Sequence, residues 1–280
     1  MNKKELHEKI LYPVVRVRTP KAGGSGTIIY SKTNPDKPDE HQTFVLTNEH
    51  VVDDAITTKK EWDSLLKKQI EKEILAPINV DIFSYVYLST VVSSNTHNAD
   101  IIAYDKSHDI ALLKLDSPNK YDYVAKLLPK EKIADIKLFT DCYACGCSVS
   151  HDAFASYGHI TYLKEIIDNK IFWMSNAPII FGNSGGAMYL AETGELIGIP
   201  ARVTALQLGF GVDIVTFMGF FVAPQRLYEF FDEQCLHWLY DSKFTYKECL
   251  DLRKNKERRA KLEMALKMDE TISERTQKSD

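Results

Sequence analysis

The sequence contains no long apolar run and few cysteines. None of its stretches approaches the roughly 18 apolar residues that a membrane-spanning helix needs. The first ten residues have a basic start but lack the apolar core and the small-residue cleavage site of a secretory signal. The cysteine count of five is odd, which argues against a framework of disulfides. We therefore expect a cytoplasmic protein that does not bind a membrane.

A strong charge of one sign and a recognisable metal-binding motif are also missing. The formal net charge is -4 over 280 residues, so there is no global attraction to nucleic acid or to an anionic membrane. No His-Glu-x-x-His motif occurs. Cys142, Cys145 and Cys147 have the spacing of half a zinc site, but the other ligands would have to come from elsewhere. A buried strand that uses cysteine as a small apolar residue is the better interpretation. We expect no metal, no cofactor and no nucleic-acid partner.

Short runs rich in valine, isoleucine, tyrosine and threonine recur along the chain, with turn residues between them. This pattern is typical of an all-β body. The predicted strands are 12–18, 26–30, 43–46, 78–88, 99–105, 110–115, 142–146, 159–163, 171–175, 187–190, 196–199 and 219–222. So many short strands fit two β-barrels or a sandwich, and the length and the hydrophobic content of 44% are sufficient for either.

Two regions have the periodicity of helices instead. Residues 59–75 place five large apolar residues at helical spacing among lysines and glutamates, which predicts an amphipathic helix. From Pro224 onward, apolar residues again recur every three or four positions. Residues 241–280 then contain 11 Lys+Arg and 9 Asp+Glu, so we expect a solvated helical tail.

Three short segments carry the candidate chemistry. They read Leu-Thr-Asn-Glu-His-Val-Val around His50, Ser-His-Asp-Ile-Ala-Leu-Leu-Lys-Leu around Asp109, and Phe-Gly-Asn-Ser-Gly-Gly-Ala around Ser184. A serine hydroxyl is a weak nucleophile until a neutral imidazole accepts its proton. A buried carboxylate on the far imidazole nitrogen fixes the tautomer and stabilises the imidazolium. Each segment alone is commonly structural, but the order His, Asp, Ser is one known arrangement of this triad.

The three segments resemble the trypsin-like serine peptidases, and most closely their HtrA (DegP-like) branch. The usual motifs in that branch are close to Thr-Asn-x-His-Val-Val, Asp-x-Ala-Leu-Leu-Lys and Gly-Asn-Ser-Gly-Gly, and this sequence has a counterpart of each. Sequence similarity around the serine and in a glycine-rich first hairpin extends the resemblance over roughly residues 10–232.

The resemblance implies an all-β, chymotrypsin-like double β-barrel, here with a helical insertion and a C-terminal helical tail. The protease domain is expected at 1–232, with barrels at roughly 10–118 and 130–224. A charged helical extension follows at 233–280. This stretch is too short and too helical for the peptide-binding PDZ domain that HtrA proteins typically carry.

The implied function is that of a serine endopeptidase acting on a protein or peptide substrate through an acyl-enzyme intermediate. His50 would be the general base, Asp109 its orienting acid and Ser184 the nucleophile. The backbone N–H groups of Gly182 and Ser184 would form the oxyanion hole, because glycine lets successive N–H groups face one point.

Two departures from the resembled enzymes bear on regulation. Asn183 stands where digestive trypsin-like enzymes have the aspartate that pairs with a newly cut N-terminus, so we do not expect activation by N-terminal cleavage. The 59–75 helix lies between His50 and Asp109 in sequence. We expect a protein partner, where there is one, to bind this helix or the C-terminal tail.

The substrate pocket is expected to accept small or medium aliphatic residues. By the resemblance, the residues near it are Ile179, Phe181, Ala201 and Gly219. Pro178 occupies the position of the acid at the base of a trypsin pocket, which argues against cleavage after lysine or arginine. Asp213, in the loop before the last strand, is the acid that would favour basic residues if its carboxylate faced the pocket.

Two other functions use the same residues. A protease-fold scaffold without activity would bind partners through its insertion and tail, but it has no need of an intact triad. An esterase or another acyl transferase would use the same triad, although these strands do not resemble the strand-turn-helix elbow of α/β-hydrolases.

Overall fold

The computed structural model describes residues 1–64 and 67–277, and they are predominantly β. The strands are, in chain order, β1 (Val14–Arg18), β2 (Gly23–Asn34), β3 (Lys37–Thr47), β4 (Ile56–Asp63), β5 (Lys68–Leu75), β6 (Ile78–Tyr85), β7 (Val91–Asp105), β8 (Ile110–Leu115), β9 (Lys126–Leu127), β10 (Asp141–Gly146), β11 (Phe154–Ile167), β12 (Lys170–Ser175), β13 (Ala187–Leu190), β14 (Glu195–Leu208) and β15 (Gly211–Val222). The α-helices are α1 (Lys3–Leu6), α2 (Pro224–Glu233) and α3 (Tyr246–Gln277).

Strands β1, β2, β3, β8, β7 and β6 form a closed barrel, which β1 closes by pairing with β6. Its interior is filled by branched aliphatic side chains such as Val17, Ile28, Val45, Val80 and Leu113. These residues alternate with outward-facing ones, as the two-residue period of a strand requires.

The second sheet follows the order β13-β10-β11-β12-β15-β14-β9. Because β13 also pairs with β14, six of these strands form a closed ring, and the short β9 adds in parallel to β14. The predicted double β-barrel is therefore confirmed. The C-terminal helical tail is confirmed as well, since α3 covers most of it.

The described chain divides into two compact units. The first, residues 1–56 and 75–230, contains both barrels. The second combines residues 57–74 with residues 231–280, and the ion pair of Lys261 with Asp63 (2.5 Å) joins its two chain segments. The expected division of the chain at residue 232 stays a prediction.

The predicted helix at 59–75 is wrong. Its described residues form a two-stranded sheet of β4 and β5, supported by a cross-strand ion pair of Lys72 with Glu61 at 2.9 Å. Ile70 and Ile74 are four residues apart, which places them on one face of a helix and equally on one face of a strand. The spacing therefore did not discriminate between the two structures. Leu65 and Leu66, which completed the helical pattern, lie outside the described residues.

A buried carboxylate stabilises the first barrel. Asp81 of β6 is 3% exposed and accepts hydrogen bonds from Arg18 Nε (2.8 Å) and Nη2 (2.7 Å) and from Thr96 Oγ1 (2.6 Å). Burial alone would raise the pKa of Asp81, but the Arg18 and Thr96 bonds outweigh it, so the pKa lies below its ordinary value. The ionised form therefore favours the folded state above the unfolded pKa of about 4.

We expect Asp81→Asn to lower the free energy of unfolding at pH 7 by about 2 kcal/mol, less than for a fully buried pair because Arg18 is partly exposed. The loss should shrink as the pH falls through the depressed pKa, since wild-type Asp81 then becomes protonated in the folded state too. Urea unfolding at pH 7 and at pH 3 measures this, with the exposed Asp39→Asn as the control. An equal loss at both pH values would contradict the electrostatic explanation.

Candidate active site

The first barrel brings the imidazole of His50 onto the carboxylate of Asp109. His50 lies in a 3₁₀ turn, Glu49–Val51, directly after β3, and Asp109 directly precedes β8. His50 Nδ1 is 2.9 Å from Oδ1 and 3.0 Å from Oδ2 of Asp109, and the His50 backbone N–H also donates to Oδ1 at 3.2 Å. The Asp109 side chain is 11% exposed and that of His50 42%. A buried acid thus orients an imidazole that remains open to solvent.

Asn48 connects this pair to the serine loop. Its side chain is completely buried, and its amide Nδ2 donates to the backbone carbonyl of Asp109 at 2.7 Å. Its Oδ1 accepts from the backbone N–H of Gly185 at 2.6 Å. One amide therefore satisfies buried backbone groups on both sides of the site, which fixes their separation.

The loop that carries Ser184 is held tightly against β2 and β3. The Ser184 carbonyl accepts from the backbone N–H of Ser25 at 2.7 Å. Gly185 has φ +85°, and a Cβ there would lie 2.1 Å from the Ser25 carbonyl oxygen and 2.2 Å from Thr47 Oγ1. Only glycine allows both this backbone conformation and this close approach. The sequence of the loop thus places the backbone of Ser184 beside the strands that lead to His50.

Asn183 stabilises the same loop from inside. It is 1% exposed, and its Oδ1 accepts from the backbone N–H of Ile180 at 3.2 Å and from the hydroxyl of Ser148. Its backbone N–H donates to the Ile180 carbonyl at 3.1 Å. These bonds close a turn before the serine with an uncharged side chain.

The two N–H groups expected to form the oxyanion hole are unengaged. Within residues 1–64 and 67–277, neither the Gly182 nor the Ser184 N–H has a hydrogen-bond acceptor. The Gly182 carbonyl, in contrast, accepts from Ser25 Oγ at 2.6 Å. The same described residues contain no hydrogen bond from Ser184 Oγ to His50, a contact that in many hydrolases tightens only in the substrate complex.

A buried acid lies next to the imidazole in sequence. Glu49 is 6% exposed. Burial raises its pKa above the ordinary value; Lys106 counteracts this, and the nearby Asp109 raises the pKa further. Sequence reasoning assigned no role to Glu49 or to Asn48, although both are part of the motif that identified His50.

Of the four expected pocket residues, three are buried and one, Phe181, is exposed. Ile179 is 1% exposed and packs directly on Gly219, where a Cβ would lie 2.6 Å from Ile179 Cδ1. Ala201 is buried on β14, whereas Phe181 is 65% exposed. Asp213 is exposed on β15 and pairs with Leu206, six residues before Gly219.

The cysteine cluster forms part of the second barrel. Cys142 and Cys145 are buried in β10, and residues three apart in a strand point to opposite faces, so these two thiols do not converge on one ion. Burial raises the pKa of Cys142 to about 11 and that of Cys147 to about 12. Such thiols remain protonated at neutral pH and behave as apolar side chains.

Comparisons with known proteins agree with this architecture. The sequence model of the trypsin-like peptidase domain matches residues 24–199, which is more than half of the chain. The chain therefore belongs to the trypsin-like peptidase family. No match was found among curated proteins.

Several solved protease structures share the fold. The HtrA-type protease AlgW with a tripeptide has a TM-score of 0.56 at 20% identity, covering 86% of this chain and 64% of its own. The serine endoprotease from Yersinia pestis has a TM-score of 0.52 at 20% identity, with coverages of 83% and 66%. Deg5 has a TM-score of 0.54 at 17% identity, with coverages of 80% and 90%. The chain thus spans less than two thirds of the AlgW structure, and at these identities the likeness shows the fold.

The described helices include none that is long and apolar enough to cross a membrane.

Proposed function

We propose that the protein is a serine endopeptidase that hydrolyses peptide bonds through His50, Asp109 and Ser184. The observation that carries the proposal is the contact of both Asp109 carboxylate oxygens with His50 Nδ1. A carboxylate in this position orients the other ring nitrogen, Nε2, to accept a proton. The family membership and the fixed glycine loop around Ser184 support the same assignment.

The proposed reaction needs only groups that the chain provides. Ser184 Oγ attacks the substrate carbonyl carbon while His50 Nε2 takes the hydroxyl proton, and Asp109 stabilises the imidazolium. The N–H groups of Gly182 and Ser184 donate to the resulting oxyanion. When the C–N bond breaks, His50 gives the proton to the leaving amine. Water then hydrolyses the acyl-enzyme by the same steps.

The proposed substrates are proteins or peptides with a small or medium aliphatic residue before the cleaved bond. Ile179 lies directly on Gly219, and these two residues are the expected lining of the primary pocket. The isoleucine side chain occupies the space above Gly219 that a long arginine or lysine chain would need.

Ile179→Ala is expected to broaden this specificity. Removing three carbons from the side chain opens space above Gly219, so the kcat/KM ratio for phenylalanine over valine before the cleaved bond should rise about 10-fold or more, as methylene-sized changes in apolar pockets do. Peptide-library profiling measures the ratio. The exposed Ile166→Ala serves as the control and should leave it unchanged. An unaltered ratio in the folded Ile179 variant would place the pocket elsewhere.

A fluorophosphonate probe tests the proposed nucleophile. We expect labelling of wild type, no labelling of Ser184→Ala, and normal labelling of Ser93→Ala, which removes the hydroxyl of an exposed serine on β7. Absence of labelling in the folded wild type would favour the scaffold function. Cleavage of activated esters without cleavage of peptides would favour the acyl transferase.

The remaining assignments stay predictions: the cytoplasmic location, the absence of nucleic-acid and membrane binding, and a partner bound through the C-terminal tail. The alternative partner surface, the described part of the 59–75 segment, would present the two strands β4 and β5 in place of the expected helix.

A further inference from the structure

A buried guanidinium, that of Arg226, binds the backbone that precedes Asp109. Arg226 belongs to the first turn of α2 and is 6% exposed. Its Nη2 donates to the backbone carbonyls of Ser107 (3.0 Å) and His108 (2.5 Å), and its Nη1 to that of Ile171 (3.1 Å). Two of these three acceptors immediately precede Asp109 in the chain.

The backbone at Asp109 needs such support because its conformation is unusual. Its φ is +59°, in the left-handed region that non-glycine residues rarely occupy. The N–H groups of the preceding turn donate to Asp105 Oδ1, from Ser107 at 2.5 Å and from His108 at 3.0 Å. Arg226 binds the carbonyls of the same two residues. The turn that positions the Asp109 carboxylate is thus held through both its backbone N–H groups and its backbone carbonyls.

Burying the Arg226 guanidinium costs free energy, which argues that its contacts fix the position of the backbone rather than stabilise the fold. Burial lowers the pKa of Arg226, since a charged group is less stable away from water, while Asp109 and Glu229 oppose that shift. Its bonded partners are neutral carbonyls, and the Phe172 ring lies 4.8 Å from the guanidinium carbon. Buried charges of this kind add little to stability compared with apolar residues of similar volume. The planar guanidinium, however, holds several acceptors in one fixed geometry.

We propose that Arg226 is a positioning residue of the triad, which holds the Ser107 and His108 peptide units so that the Asp109 carboxylate faces His50 Nδ1. This inference rests on the proposed peptidase function. Arg226 acts through Asp109 and contacts neither the nucleophile nor the substrate in this role. A misplacement of a catalytic group by about 1 Å costs up to about 100-fold in rate, so loss of the Arg226 contacts is expected to slow turnover.

The test compares Arg226→Met with Tyr228→Phe on the same helix. Tyr228 is also buried, and its hydroxyl donates to the Leu128 carbonyl at 2.6 Å, so Tyr228→Phe removes a buried hydrogen bond to a carbonyl away from Asp109. We expect Arg226→Met to lower kcat about 10- to 100-fold with KM within about 3-fold, while Tyr228→Phe keeps kcat within about 2-fold. Arg226→Lys, which retains a donor cation, should recover part of kcat.

Kinetics are measured where thermal unfolding shows all variants folded. If Arg226→Met does not fold, Arg226→Lys is tested in its place. Its kcat should fall about 3- to 10-fold at unchanged KM, because an ammonium group replaces only part of the hydrogen bonding of the planar guanidinium. The inference is overturned if the folded Arg226 variants keep wild-type kcat, or if Tyr228→Phe shows the same loss. Failure of wild type to react with the fluorophosphonate would instead overturn the peptidase function, and the inference with it.

Discussion

Ser184→Ala is expected to lower kcat for peptide hydrolysis by about four to six orders of magnitude. The substitution removes a single oxygen atom, yet in the proposed mechanism that oxygen forms the covalent bond with the substrate, and loss of a triad nucleophile costs about this much in other hydrolases. The proposed oxyanion donors, the N–H groups of Gly182 and Ser184, are backbone groups and remain in the variant. A small residual rate above the uncatalysed reaction is therefore expected.

The measurement is the steady-state turnover of a peptide that wild type cleaves, with Ser93→Ala as the matched control. The control removes the same atom from an exposed position on β7 and should retain the wild-type rate. A loss of less than about 100-fold in Ser184→Ala would show that another group performs the attack.

Asp109→Asn is expected to lower kcat by about four orders of magnitude while the fold is retained. The amide is nearly the same size as the carboxylate, but it cannot stabilise the imidazolium and favours the wrong tautomer of His50, the effect that this change has on other triads. Both oxygens of Asp109 lie within 3.0 Å of His50 Nδ1, so either orientation of the amide disrupts the contact.

Asp116→Asn provides the comparison for this variant. Asp116 directly follows β8, whereas Asp109 directly precedes it, and its side chain is exposed. The Asp116→Asn variant should keep the wild-type turnover. Retention of more than about a tenth of the wild-type kcat by the Asp109 variant would show that His50 does not depend on this acid.

The central strands of both barrels could be predicted from the sequence. Strands β8 and β13 have the predicted bounds because each is a short apolar run between turn residues and is buried. The exposed hairpin of β14 and β15 is different. Only 196–199 and 219–222 were predicted there, but the strands continue to Leu208 and begin at Gly211. Outside the barrel core, strand length depends on cross-strand pairing, which local sequence does not specify.

The contact of His50 with Asp109 could be predicted because both residues lie in short motifs with a recognised order, whereas the catalytic role of these residues and of Ser184 stays a prediction. The residues that support the proposed triad could not be predicted. Asn48 bonds to groups 61 and 137 residues away, and Arg226 bonds to a carbonyl 118 residues before it. No local pattern encodes such partners, since they depend on how the two barrels fold. Asn48 at least stands inside a recognised motif, whereas Arg226 has no sequence signal of its own.

The most direct test of the central claim is to trap the acyl-enzyme. An activated ester is mixed with the protein, the reaction is quenched in acid within the first turnover, and the adduct is located by peptide mass spectrometry. The proposed mechanism predicts an acyl group on Ser184, at close to one per molecule, and none in Ser184→Ala. An adduct on another residue, or turnover of the ester without any adduct at Ser184, would contradict it.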